Sequence, residues 1–417
     1  QGRGCQAGGY GDDGGHCEGG GAVVDTDHAG CGQAITRQGL QQATGRAQCR
    51  TAEQTGGQPR QTQFLNQKSL HLVAPAGHRL LRLGRYSLLL HRRSLIVAVF
   101  LSLLLVVVST AILATGDDAL TPWKALQAAF GRGDALQVFL IQELRLPRLT
   151  AGLFSGAALG AAGCLLQTLA RNRLATPGVI GIDNGATAFA VASIVAVPTS
   201  LAPSALALSG AATAAVLTFA LAAGGGARGY RFIVVGIAIG ALFGALTNLM
   251  LARSDMDAAN AAYPWTVGSL NARPADSVLL LGLGLAAGMP LAKLLAGALS
   301  LMRFSDSVAI GLGVRLQRMR LLTLALCVWL TALAVAVVGP VGLIALAAPE
   351  MARHLCNRHG VPVFNAALSG ALMMILADWL GRTLLAPVEV PVGIIAAVVG
   401  GPYLLWILLR QAPRSST

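Results

Sequence analysis

Charged residues are scarce in this chain: Asp, Glu, Lys and Arg make up 12% of its 417 residues, against about 25% in an ordinary soluble domain. A chain so poor in charge and 54% hydrophobic cannot keep its surface in water, which excludes a soluble enzyme. No Gly-x-x-x-x-Gly-Lys-[Ser/Thr] phosphate loop occurs, so the usual cradle for ATP is missing and any ATP hydrolysis belongs to a partner. No His-Glu-x-x-His motif and no nucleophile elbow occurs, so neither metal nor covalent catalysis is indicated, and no cofactor is expected. His354, Cys356 and His359 sit close in sequence but read as loop residues rather than ligands. Cys5, Cys17, Cys31 and Cys49 are spaced long and irregularly without a C-x-x-C, which argues against a zinc site. No Met precedes Met250 and no signal-peptide pattern precedes the first apolar run. Residues 1–75, rich in Gly and Gln and lacking hydrophobic periodicity, are expected to be a disordered tail upstream of the true start.

What the chain has instead is long uncharged runs: Leu95–Thr115, Leu149–Ala170, Asn184–Ala227, Phe232–Ala252, Leu321–Pro349 and Val390–Leu409. A membrane span needs about 20 such residues, and Asn184–Ala227 is long enough for two spans around Pro198 and Pro203. With the less apolar runs Val278–Met302, Gly339–Cys356 and Pro362–Leu385, about ten helices are expected, since the segments do not alternate as barrel strands would. The predicted class is all-α and polytopic, with the membrane domain over residues 94–410 and a short tail at 411–417. Residues 76–93 form a basic amphipathic segment suited to the cytoplasmic face of the bilayer.

The net charge of +13 is unevenly distributed. If the N-terminus lies in the cytoplasm, most Arg, including Arg171, Arg173, Arg303, Arg320 and Arg353, fall in inside loops. The outside loops hold few cations among Asp117, Asp118, Asp134 and Asp276. This positive-inside bias puts both termini in the cytoplasm and calls for lipid, not nucleic acid, as the partner of the positive charge.

Three blocks carry a family resemblance. The first, RLPRLTAGLFSGAALGAAGCLLQTLARNRLATPGVIGIDNGA from Arg145 to Ala186, has an Arg-x-Pro-Arg step before a span and an Asn172-to-Gly178 turn with Pro177 after it. The second, VVGPVGLIALAAPEMARHL over Val337–Leu355, has helix breaks expected at Gly339-Pro340 and at Pro349. The third, ALMMILADWLGRTLLAPVEVPVGIIAAVVGGPYLLWILLR, ends the chain's apolar part. These blocks resemble the transmembrane permeases of ABC importers for iron-siderophores, haem and vitamin B12, the FecCD type. The resemblance covers about residues 79–410. Three positions depart from the family pattern: Arg173 stands where the turn usually has Pro, Ile344 where the middle block usually has Phe, and Glu350 where that block usually has His.

The resemblance implies a type II ABC importer permease fold and a homodimer or heterodimer of permease chains in the bacterial inner membrane. It also implies ATP-binding cassette subunits below and a periplasmic or lipid-anchored substrate-binding protein above. Arg145, Arg148 and Arg382 match the positions that dock the binding protein, and Ser305, Asp306, Gly311 and Gly313 lie in the loop that contacts the ATPase. Asp378 and Arg382, four apart on one helix, are spaced for an intramembrane ion pair. The favoured cargo is a ferric siderophore, with cobalamin or haem as alternatives within the family. An ion-coupled secondary transporter is the rival from another class, but it needs midplane charges and an internal repeat, and only Asp378 is a strong candidate.

Overall fold

The computed structural model describes residues 78–83, 86–115, 120–195, 203–222, 230–304, 306–356, 360–384, 386 and 388–411. Ser305, His359 and the tail 1–75 with its four cysteines lie outside the described residues. A short antiparallel hairpin, β1 (His78–Leu83) and β2 (Tyr86–His91), opens the described part in the register His78 opposite His91 to Leu83 opposite Tyr86. Among the described residues, all other regular elements are helical.

The helices are α1 (Arg92–Ala114), α2 (Pro122–Ala129), α3 (Ala135–Phe139), α4 (Leu146–Ala170), α5 (Ile182–Val195), α6 (Pro203–Ala222) and α7 (Tyr230–Arg253). They continue as α8 (Met256–Val267), α9 (Ala275–Met302), α10 (Asp306–Gly311), α11 (Leu316–Val338), α12 (Gly342–Leu355), α13 (Val363–Thr383) and α14 (Val392–Gln411). Among the described residues, seven helices are long and apolar enough to cross a membrane, one of them the continuous Ala135–Ala170 that joins α3 to α4 through a π-turn at Leu140–Arg145. Ile182–Val195 and Val392–Trp406 are shorter apolar helices, and α12 stands where a further short span was expected. Of the ten expected spans, seven thus correspond to helices long enough to cross a membrane and three to shorter helices.

Helix α4 is the axis of the bundle. It packs most extensively on α13 and also against α9, α11 and α12, and its burial runs round the whole cylinder from Ala151 to Leu169. Small residues make this possible. A Cβ on Gly156 or Gly160 would run into the backbone carbonyls of Gly370 and Ala366, so only glycine lets α4 and α13 approach backbone to backbone. On the periphery, α1 turns Ile96, Val99, Phe100, Leu103, Val106 and Val107 outward, as a lipid-facing helix must.

Helix continuity differs from expectation at one proline. Gly339-Pro340 does separate α11 from α12, with Gly339 at a φ of 87°. Pro349, however, lies inside an unbroken α12. A proline deprives the carbonyl four residues earlier of its helical donor, here Ala345. That carbonyl is covered by Gly163 of α4, whose missing side chain leaves room for close contact, so the helix continues through Pro349 instead of breaking.

Candidate functional site

Charged side chains gather at the two ends of α4. At its N-terminal end, Pro147 lies in the first turn and Arg148 is aimed at α13. Arg148 Nε donates to both oxygens of Asp378 at 3.1 and 3.2 Å, Nη2 adds a third bond at 3.0 Å, and Nη1 donates to Glu389 Oε2 at 3.0 Å. Arg382 Nε lies 3.2 Å from Asp378 Oδ2, so the pair read from the sequence is part of a triad in which Asp378 stands between Arg148 and Arg382. Such a fork-to-carboxylate arrangement fixes direction as well as charge. Arg145 behaves differently: its Nη1 donates to the carbonyl of Leu113 at the end of α1, at 2.8 Å. Arg148's charge is thus met by two carboxylates, and its side chain is only 16% exposed.

Beside this triad lies a cavity of about 450 Å³ whose wall includes Arg148, Tyr263, Trp265, Arg273, Asp378 and Glu389. Arg273 stacks over Trp265 at 4.1 Å and donates from Nε to the carbonyl of Ser269 at 2.9 Å. Burial of its guanidinium lowers the pKa of Arg273 to about 10. The floor of the region is a meeting of backbones: Ser269 N donates to Val338 O at 2.8 Å and Gly393 N to Gly268 O at 3.2 Å. Gly268 has a φ of 81°, and a Cβ there would come within 2.8 Å of the Pro340 carbonyl oxygen. The Gly339-Pro340 break is therefore held where the loop after α8 and the start of α14 converge.

At the other end, α4 stops at Arg171, which takes the left-handed conformation with a φ of 52°. Asn172 continues the turn by accepting a bond from Leu174 N on its Oδ1 at 2.9 Å. Pro177 then begins a short 3₁₀ turn, Pro177–Ile180, in which Gly178 comes close to the Asp183 carboxylate. Arg171 Nη2 donates to Asp306 Oδ1 at 3.1 Å, and Arg320 Nη2 to Asp306 Oδ2 at 2.8 Å. Asp306 is the first residue of α10, which closes through Gly313 N to Ile310 O at 2.9 Å and Val314 N to Ala309 O at 3.0 Å. Gly313 has a φ of 83°, whereas a Cβ on Gly311 would meet nothing within 4 Å. Phe304, Val308, Ile310 and Leu312 around this short helix are exposed.

On the same turn, Arg173 reaches Glu350 of α12. His354 lies 3.7 Å from Glu350, and the Cys356 sulfur accepts a bond from Asn365 Nδ2, so these residues are engaged separately. Among the described residues no group of three or more His, Cys, Asp or Glu could hold a metal ion. Sequence reasoning assigned roles to Asp378 and Arg382 but gave none to Gln167, Trp265, Arg273 or Arg320. The opposite charges of two of the pattern departures, Arg173 and Glu350, were the one signal that could have joined the turn to α12.

Comparison with known proteins gives a consistent answer. The FecCD transport family matches residues 100–410. The Fe(3+)-citrate import system permease protein YfmE of Bacillus subtilis is 36% identical over 325 residues, 77% of this chain and 97% of that protein. The ferric enterobactin transport system permease protein FepG of Escherichia coli is 33% identical over 326 residues, 77% and 98% of the two chains. The hemin transport system permease protein HmuU of Yersinia pestis is 36% identical over 282 residues, 66% and 84%. A solved metal-chelate type ABC transporter in an inward-facing conformation superposes with a TM-score of 0.66 and 26% identity, covering 76% of this chain and 99% of that one.

Proposed function

The chain belongs to the FecCD transport family, and from that premise we propose that it forms the translocation pathway for a ferric siderophore. It is a membrane permease subunit of an ABC importer and not itself an enzyme; ATP is hydrolysed in a separate subunit. The observation that supports a ferric chelate as cargo is the near end-to-end likeness to permeases named for ferric citrate and ferric enterobactin. The hemin permease at equal identity keeps haem as the second reading.

In this reading the chain lies in the bacterial inner membrane with both termini in the cytoplasm, pairs with a second permease chain, and takes its cargo from a binding protein. The α10 end faces the ATPase, which receives the exposed Phe304, Val308, Ile310 and Leu312. The Arg148 end faces outward. There Arg145 and Arg382 offer charge to acidic residues of the binding protein, while Arg148 holds Glu389, itself 49% exposed, in position. Rim charges of this kind act mainly on orientation and encounter rate.

The test is transport. Liposomes carrying this chain with its ATPase subunits and binding protein are offered radioactive iron as ferric citrate, ferric enterobactin or hemin. Uptake of a non-haem ferric chelate that depends on ATP is expected; uptake of hemin alone would favour the second reading, and uptake driven by an ion gradient without ATP would overturn both.

A further inference from the structure

Two of the three departures from the family's sequence pattern, the charged ones, meet in space. Arg173 and Glu350 are 177 residues apart in sequence, yet Arg173 Nη1 donates to Glu350 Oε1 at 3.2 Å. The Glu350 side chain is only 5% exposed, and its other oxygen accepts two bonds from Arg353, at 3.1 Å from Nε and 2.9 Å from Nη2. Arg353 Nη2 also bonds Gln167 Oε1, and Gln167 Nε2 donates to the carbonyl of Leu346 at 3.2 Å. Replacing a histidine by a glutamate here places an anion in a buried position, where desolvation is costly unless the charge is fully paired. Arg353 is shared with Gln167, and the second cation comes from Arg173, which the family's usual proline could not supply.

The same turn has a second arm. Arg171 bonds Asp306, the first residue of α10, and also the carbonyl of Met302 at the end of α9. Asn172 lies between the two arginines and fixes the turn through its bond from Leu174 N. One cation of the Arg171-Asn172-Arg173 turn therefore grips α10 and the other grips α12, within three residues of backbone.

We propose that Arg173 and Glu350 are a matched pair of positioning residues, and that the Arg171–Arg173 turn ties the ATPase-facing helix α10 to α12 so that movement of one is passed to the other. This rests on the permease reading above. Movement of α10 with a loose turn would be absorbed by rotation about Asn172, whereas a turn pinned at both ends transmits it as a rigid body.

The experiment compares four substituted forms with the unsubstituted chain in the reconstituted complex: Arg173→Pro, Glu350→His, the two together, and Arg173→Lys. The readout is iron taken up as ferric citrate per ATP hydrolysed. Each of the first two alone should lower that ratio about fivefold while ATP hydrolysis continues; together they recreate the family's usual combination and should return it to within about twofold, the non-additivity expected of residues in contact. Arg173→Lys keeps the charge and should stay near the unsubstituted value. Unchanged ratios in both single forms, or a double form as poor as the product of the singles, would overturn the proposal. If a single substitution lowers assembly of the complex instead, the double must restore assembly, and failure to do so overturns it equally. If the unsubstituted complex takes up no iron, the permease reading fails on its own. The pair is then judged by the thermal unfolding of the four forms, where the same compensation must appear.

Discussion

Arg148 does most of its work inward. Its guanidinium is the common partner of Asp378 and Glu389, and Asp378 in turn holds Arg382. Removing one member of a largely buried pair leaves the other charge uncompensated, at a cost of about 3–5 kcal/mol when burial is complete. With 16% and 9% of the two side chains exposed, Arg148→Ala and Asp378→Asn should each destabilise the protein by about 2–3 kcal/mol. The double substitution should cost less than the sum, because each single form strands the other member of the pair and the double removes both charges. Thermal unfolding in detergent measures this, and additive losses would show that the two residues act independently. Docking is better tested at Arg145, which has a backbone carbonyl as its partner. Arg145→Glu should weaken association with the binding protein, more at low salt than at high, as read by affinity at two ionic strengths. Asp378 and Arg382 could be paired from their spacing along one helix. The arrival of Arg148 from 230 residues away could not, because nothing local in the sequence encodes it.

The elements show how small residues decide what the membrane allows. Gly156 and Gly160 bring α4 against α13 backbone to backbone, so Gly156→Val should force the pair apart and destabilise the bundle by about 1–3 kcal/mol, seen as a lower unfolding temperature. Helix α10 separates two glycines that look alike in the sequence. Gly311 is helical with open space around it, and Gly311→Ala should leave uptake unchanged. Gly313 ends the helix in the left-handed region, so Gly313→Val should strain the turn by about 1–2 kcal/mol and redirect the chain into α11. ATP-driven uptake at constant protein abundance distinguishes the two; equal activity in Gly313→Val would show that the turn's conformation is immaterial to coupling. The composition of α10 marked it as a compact loop, but which glycine bears the turn was set by the closing bonds from Gly313 and Val314. Pro349 teaches the converse. Proline in a sequence signals a break, yet Gly163 covers the carbonyl that Pro349 frees and the helix runs on.

At the scale of the described bundle, ion pairs cluster at the two ends of α4, which joins one charged cluster to the other. A helix of its length spans nearly 40 Å, enough to cross the bilayer's apolar core. Without a phosphate loop the purified chain should hydrolyse no ATP, and a vanadate-sensitive activity should appear only on addition of its ATPase subunits. Turnover by the lone chain would contradict the division of labour between subunits.

The sequence alone determined the solvent and the all-helical membrane class, because lipid demands runs of about 20 apolar residues and internally satisfied backbone, and both leave their mark on composition and spacing. It also determined the family, since the Arg-x-Pro-Arg step and the terminal block survive as recognisable strings. Only the tertiary structure decided which charge answers which: Arg148 with Asp378, Arg171 with Asp306, and Arg173 with Glu350. The reason is electrostatic. A buried charge such as Asp378 or Glu350 is costly without a counter-ion within a few ångströms, and the candidates come from helices far apart in the chain that adjoin only after the bundle has packed.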